Sequence, residues 1–199
     1  MAAAWLFGAS PMKHLAALAV ALDKITEVIG KLAAWLIIAL MVVILFDVVL
    51  RRWFIIGSSG LQELEWHLHG GLFLLCLGFA YLKGSHVRIE LFREYWSDKT
   101  KIIVEILGII FLLLPLCVVL IKFGFDYAAM SFAYSEKSAA ATGLGALWFI
   151  KGVLVFGIFM LMLPATSNLI KCSLWLMAEK NGGVTSGLDA VLSDDTDTA

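Results

Sequence analysis

Charge is scarce in this sequence, and nowhere does it run strongly basic. Of the 199 residues only 16% are Asp, Glu, Lys or Arg, and the formal net charge is −1; soluble domains carry about 25% charged residues. Without a basic run nothing offers counterion release to a phosphate backbone, so nucleic acid is excluded as a partner. Cysteine is nearly absent. Cys76, Cys117 and Cys172 have neither metal-ligand spacing nor the look of a disulfide framework, and read as small apolar packing residues. Catalytic signatures are missing too: there is no H-E-x-x-H, no phosphate-binding glycine loop and no activated Ser/His constellation. Gly143-Leu144-Gly145 lacks a third glycine and a preceding strand, and reads as a turn. No enzyme, metal or cofactor is expected.

What is abundant is apolar. Hydrophobic residues make up 61% of the chain, and the mean hydropathy is +0.93. A single soluble core of this size could not hide that much apolar surface, whereas a bilayer could. The uncharged stretches are long blocks without strand-like alternation, which excludes a β-barrel and leaves helices, the form that satisfies its backbone within one segment. The sequence predicts an all-α membrane protein with four transmembrane helices, over about 29–50, 66–82, 102–125 and 149–170, within a membrane domain of 29–170.

Orientation follows from the basic residues. Lys13, Lys24 and Lys31, then Lys83, Arg88, Arg93, Lys99 and Lys101, then Lys171 and Lys180 all fall on one side; Arg51, Arg52 and Lys137 fall on the other. The positive-inside rule places the N and C termini and the middle loop in the cytoplasm, with tryptophans 35, 53, 66, 148 and 175 near span ends. Residues 1–28 hold only a short apolar run and are expected to form an uncleaved amphipathic helix on the cytoplasmic surface. Residues 171–199 are a cytoplasmic end and an acidic, disordered tail. The outer segment 128–147 continues in helical composition through Ala139-Ala140-Ala141, which predicts a short outer-loop helix.

The informative residues are the charged ones at span ends, because charge is costly there. Asp47 and Arg51, Lys101 and Glu105, and Lys122 and Asp126 each stand four apart and can close ion pairs along their own helices. Glu63 and Glu65 have no cation one turn away; Arg51 and Arg52 could reach them across the first loop. Lys151 either snorkels outward or meets an acid on another helix or chain. His67 and His69 each follow a carboxylate by one turn but point apart, so they cannot share one metal, and no other span supplies a facing histidine for haem.

From these residues alone two readings stand: a self-assembling four-helix channel or exporter, and a membrane redox subunit carrying haem. A channel would need a polar stripe in several spans, and the third and fourth are almost wholly apolar between their ends.

One resemblance adds a third reading, a non-catalytic transporter subunit, and favours it. The run LQELEWHLHGGLFLLCLGFAYLKGSHVRIELF, residues 61–92, resembles the small membrane subunit of tripartite ATP-independent periplasmic (TRAP) transporters. Arg51 in VVLRRWF, Pro115 in LLLP, Glu136 and Ser138 in EKS, and Trp148 with Lys151 in WFIK continue the match in order. GLGALW and VLVFG lack prolines common in that family, and Glu90 stands where aspartate is usual. The resemblance implies a multi-pass protein of the bacterial cytoplasmic (inner) membrane, among membrane lipids, that does not translocate substrate alone. It packs on a large membrane subunit carrying substrate and sodium sites, while a periplasmic substrate-binding protein delivers an organic acid. It further implies that Arg51, Glu63, Glu65, Glu136, Ser138 and Lys151 order the outer docking surface or the intersubunit contact. His86 and Arg88 would anchor the cytoplasmic loop after span two.

Overall fold

The computed structural model describes residues 3–84 and 96–180, with the side chains of 12–84 and 96–177. His86, Arg88 and the acidic tail lie outside the described residues. Helix is the only regular structure among those described. The elements are α1 (Ala3–Ala34), α2 (Leu36–Trp53), α3 (Ser59–Leu82), α4 (Asp98–Gly108), a π-helical turn (Ile109–Leu113), α5 (Leu114–Ala133) and α6 (Trp148–Lys180).

Three helical segments are long and apolar enough to cross a membrane: Met12–Trp53, Asp98–Ala133 and Trp148–Met177. α3 has 24 residues, about 36 Å at the helical rise, but Glu63, Glu65, His67 and His69 near its start lower its hydropathy. The helix breaks are local in origin. Between α1 and α2 the amide of Trp35 bonds to the Leu32 carbonyl and that of Ile38 to the Trp35 carbonyl, three residues back, which interrupts the regular ladder. The π turn ends two residues before Pro115, which has no N–H to give and whose ring crowds the preceding turn. Ser58 caps α3 through the Leu61 amide, and Ser97 caps α4 through the Thr100 amide.

Two sequence expectations change. No break separates a surface helix from a span at residues 28–29, because α1 runs through that point. Ala19 and Thr26 are buried, and the Ser167 hydroxyl donates to the Ala19 carbonyl at 3.1 Å, so this part of α1 packs against the other helices. The expected outer-loop helix is absent: residues 134–147 form turns and bends. Alanine composition favours helix there, but the polar side chains of the segment bond to its own backbone and to α3 instead, as described below.

The helices form an open array. α3 and α6 are the central pair, α1 packs on both, α2 leans on α3 and α5 on α6. The tightest approach is between α3 and α6. Pro164 leaves the Met160 carbonyl without its helical donor, and Gly78 sets the α3 backbone against that carbonyl; a Cβ on Gly78 would lie 2.5 Å from the Met160 oxygen. The relation is reciprocal one turn outward, where a Cβ on Gly157 of α6 would lie 2.6 Å from the Leu74 oxygen of α3. Small residues bring membrane helices together in this way. The outward faces of α2 (Met41, Val42, Leu45, Phe46) and α5 (Leu116, Val118, Phe123) remain more than half exposed.

Beyond α2 the chain does something costly. The amides of Phe54 and Ile56 both bond to the Leu50 carbonyl, at 3.1 and 3.2 Å, and Ile55 between them has φ 56°. Glycine usually takes a left-handed position after a helix. An L-residue there costs about 1–2 kcal/mol, and a β-branched one is unusual.

Candidate functional site

The charged residues near the α3 and α6 starts collect into a polar cap. α5 ends in a Schellman motif: the Glu136 amide bonds to the Ser131 carbonyl at 3.0 Å, the Ser135 amide to that of Phe132 at 3.0 Å, and Ser135 takes φ 47°. That turn aims Glu136 at α6, where its carboxylate pairs with the Lys151 ammonium. Lys151 is only 10% exposed in its side chain and also sits over the Tyr127 ring, 3.7 Å from the centroid. Of the two fates open to Lys151, the structure shows the acidic partner.

Glu63 makes a second closure. Its carboxylate accepts from the Ser138 hydroxyl through one oxygen and from the Leu144 amide through the other, at 2.6 Å. Ser138 also closes the loop on itself, its amide bonding to the Leu144 carbonyl at 3.0 Å and its hydroxyl accepting from the Ala140 amide at 3.1 Å. Gly143 is needed beneath this knot, since a Cβ there would lie 2.8 Å from Glu63 Oε1 and closer still to Ser138. Thr142 donates to Ser59 at 3.2 Å. The segment between α5 and α6 is thus bolted to the first turns of α3. His67 turns its Nδ1 to the Glu63 backbone carbonyl at 2.5 Å, so its partner is the main chain rather than the carboxylate.

Arg51 does not reach Glu63. It pairs with Asp47 one turn back, and Gln62, with its amide oxygen turned toward the guanidinium, accepts at 2.7 and 3.2 Å. Asp47 is 3% exposed, and its other oxygen has no partner among the described residues. Glu65 lines a cleft of about 590 Å³ between α2 and α3, together with Asp47, Arg51, Arg52, Gln62 and Trp66. The structure therefore gathers Glu63 and Ser138 into one knot and Glu136 and Lys151 into another, with Arg51 and Glu65 flanking the cleft.

Hydrogen bonding to the ionised form sets the acidity of the cap. The Ser138 hydroxyl, and after it the Leu144 amide, hold the Glu63 carboxyl below its ordinary value of 4.5; the Lys151 ammonium does the same for Glu136. A depressed folded-state pKa stabilises the cap above the unfolded value, near 4.5, and that stabilisation is lost as pH falls through the folded value. Amide hydrogen exchange over residues 136–147, corrected for intrinsic rates, is expected to show protection at pH 7 that declines at pH 4 and below. Equal protection at both would show that these carboxylates do not hold the segment.

The opposite end of the array has polar ties of its own, and they replace the Lys101–Glu105 pair expected from the sequence. Lys171 pairs with Asp23 at 2.8 Å, both largely buried. Asn168 donates to Glu105 at 2.7 Å and to the Tyr81 hydroxyl at 3.4 Å. Lys101 pairs with Asp98 at 2.9 Å. An asparagine within an apolar helix was the available signal for these contacts, since polar side chains there join helices.

Residues 40–173 match the family described as tripartite ATP-independent periplasmic transporters, DctQ component. The chain belongs to this family. No curated protein and no solved structure matches it. As a TRAP small membrane subunit it is a transporter component and a multi-pass membrane protein, and the family implies partnership with a large membrane subunit and a periplasmic binding protein. The match takes in most of α2, all of α3, α4, the π turn and α5, and most of α6, and with them both knots of the cap. Among the described residues of this TRAP subunit, no cluster of His, Cys, Asp and Glu is arranged to hold a metal ion.

Proposed function

We propose that this TRAP subunit is a non-catalytic scaffold: it holds the large membrane subunit in place and presents an outer surface on which the periplasmic binding protein docks, within a system that takes up an organic acid driven by sodium. In this reading four spans cross the bacterial inner membrane: α2 with the end of α1, α3, α4 with the π turn and α5, and α6. Both termini are cytoplasmic, so the cap lies on the periplasmic side. The observation that carries the reading is the double bolting of the segment between α5 and α6, through Glu63 to Ser138 and Leu144 and through Glu136 to Lys151. Such cross-links make a fixed surface rather than a moving part, which suits a component that steadies its partners. Arg51 and Glu65, beside the open cleft, supply charge that a docking protein can meet. The apolar outer faces of α2 and α5 suit lipid and a large apolar partner.

The test uses the whole system. The chain is expected to co-purify with the large membrane subunit, and its deletion to abolish uptake of the system's organic acid by intact cells. Uptake that persists without the chain would overturn the proposal.

A further inference from the structure

The cleft between α2 and α3 is charged at one end and apolar at the other. On α2 its lining follows one helical stripe, from Ile44 and Val48 to Arg51 and Arg52. Because α2 ends the membrane-crossing segment Met12–Trp53, the arginines stand at the membrane boundary and the aliphatic pair one to two turns deeper. Across the cleft α3 contributes Glu65 and Trp66, the indole 80% exposed, at a level of the bilayer that tryptophan prefers. The charged end sets two arginines against two carboxylates, Asp47 and Glu65, yet these groups do not all discharge one another. Arg52 and Glu65 form no ion pair among the described residues. Asp47 is 3% exposed and holds Arg51 through Oδ2, while its Oδ1 has no partner among the described residues. A buried carboxylate oxygen without a donor costs stability unless a donor reaches it from outside the chain.

We propose that this cleft is a binding site for a phospholipid with an ammonium headgroup, of the phosphatidylethanolamine class. Arg52 and the outer N–H groups of Arg51 hold the phosphate, and Arg51 is itself fixed by Asp47 and Gln62. Glu65 and Asp47 Oδ1 accept from the ammonium, and an acyl chain lies along Ile44 and Val48. The chemistry of the lining selects this occupant. Balanced arginines and carboxylates suit a zwitterion, whereas phosphatidylglycerol brings the phosphate and leaves both carboxylates uncompensated. Phosphatidylcholine carries the same charges but has no N–H to give them. A soluble phosphate ester fills the charged end and gains nothing at the aliphatic one. A protein side chain brings charge of one sign, not both signs a few atoms apart. The site is independent of the scaffold reading, since it needs only α2 and α3 at a membrane boundary.

The test is a titration of the purified full chain, in detergent, read by native mass spectrometry. The probes are phosphatidylethanolamine, phosphatidylcholine and phosphatidylglycerol with identical acyl chains, and free phosphoethanolamine. Phosphatidylethanolamine is expected to bind about ten-fold or more tightly than the other two lipids, because its ammonium donates to charged acceptors. Phosphoethanolamine should bind more weakly than the lipid that carries it. Two substitutions locate the site. Glu65→Gln is expected to remove most of the preference for ethanolamine over choline, while Arg52→Gln weakens both lipids together, since both present the phosphate. Equal affinity for the ethanolamine and choline lipids would overturn the proposal, as would a preference for phosphatidylglycerol. Adducts that neither substitution alters would also overturn it, because they would belong to an unspecific lipid shell. Phosphoethanolamine bound as tightly as the lipid would overturn it in favour of a soluble phosphate ester. Should either variant fail to fold, the headgroup comparison on the parent chain decides alone.

Discussion

Gly78→Leu is expected to leave little recoverable folded subunit, whereas Gly152→Ala, in the same array, should leave the free chain's folding intact. The contrast comes from what each new side chain meets. At Gly78 even the first carbon would lie 2.5 Å from the Met160 carbonyl oxygen and 3.0 Å from the carbonyl carbon, atoms of the α6 backbone. Backbone cannot rotate away as a flexible side chain would. Overpacking a fitted interior costs about 1–3 kcal/mol, and leucine in this seam adds the separation of α3 and α6 along the adjoining Gly157–Leu74 contact. Folded proteins hold only about 5–15 kcal/mol in total, so the central helix pair should fail. At Gly152 a Cβ meets nothing within 4 Å. The check is the monodisperse yield and melting temperature of each purified chain. A Gly78→Leu chain that purifies and melts like the parent would show that the close approach contributes little to the fold.

That seam could not be read from sequence, although its ingredients are visible there. Gly78, Gly157 and Pro164 are each ordinary in an apolar helix. Their meaning appears only when Pro164 frees the Met160 carbonyl at the depth where α3 presents a glycine. The long apolar blocks were legible because helix and burial depend on local composition. The turns were less so: Ala139-Ala140-Ala141 favours helix, yet Ser138, Thr142 and the Glu63 carboxylate draw the segment's polar groups into a knot. Charge pairing was legible where it was local, as for Asp47 with Arg51. It failed where a better partner lay far along the chain: Glu105 accepts from Asn168, while Lys101 turns to Asp98. For Glu63 the sequence showed only that no cation stands one turn away. Its partner turned out to be a serine 75 positions on, a neutral donor that counting charges does not find.

Glu63 and Glu65 should therefore part company on substitution, although they stand two apart on one helix. In Glu63→Ala the Ser138 hydroxyl and the Leu144 amide lose their acceptor together, and the 136–147 segment keeps only its tie at Glu136–Lys151 and its own turns. Uptake by the whole system is expected to fall about ten-fold or more, because two hydrogen bonds to a charged group disappear at once. Hydrogen exchange across residues 138–147 should rise with it. Glu63→Gln, whose amide oxygen can still accept one of the two bonds, should fall between alanine and the parent. Glu65→Ala should leave exchange in that segment unchanged, because Glu65 faces the cleft beside Arg51 and Arg52. Any loss of uptake in Glu65→Ala then reports a contact with a partner rather than a loosened cap. Equal exchange and equal uptake for Glu63→Ala and the parent would mean that the bolt between α3 and the 136–147 segment is dispensable, and that the proposed docking surface is held in some other way.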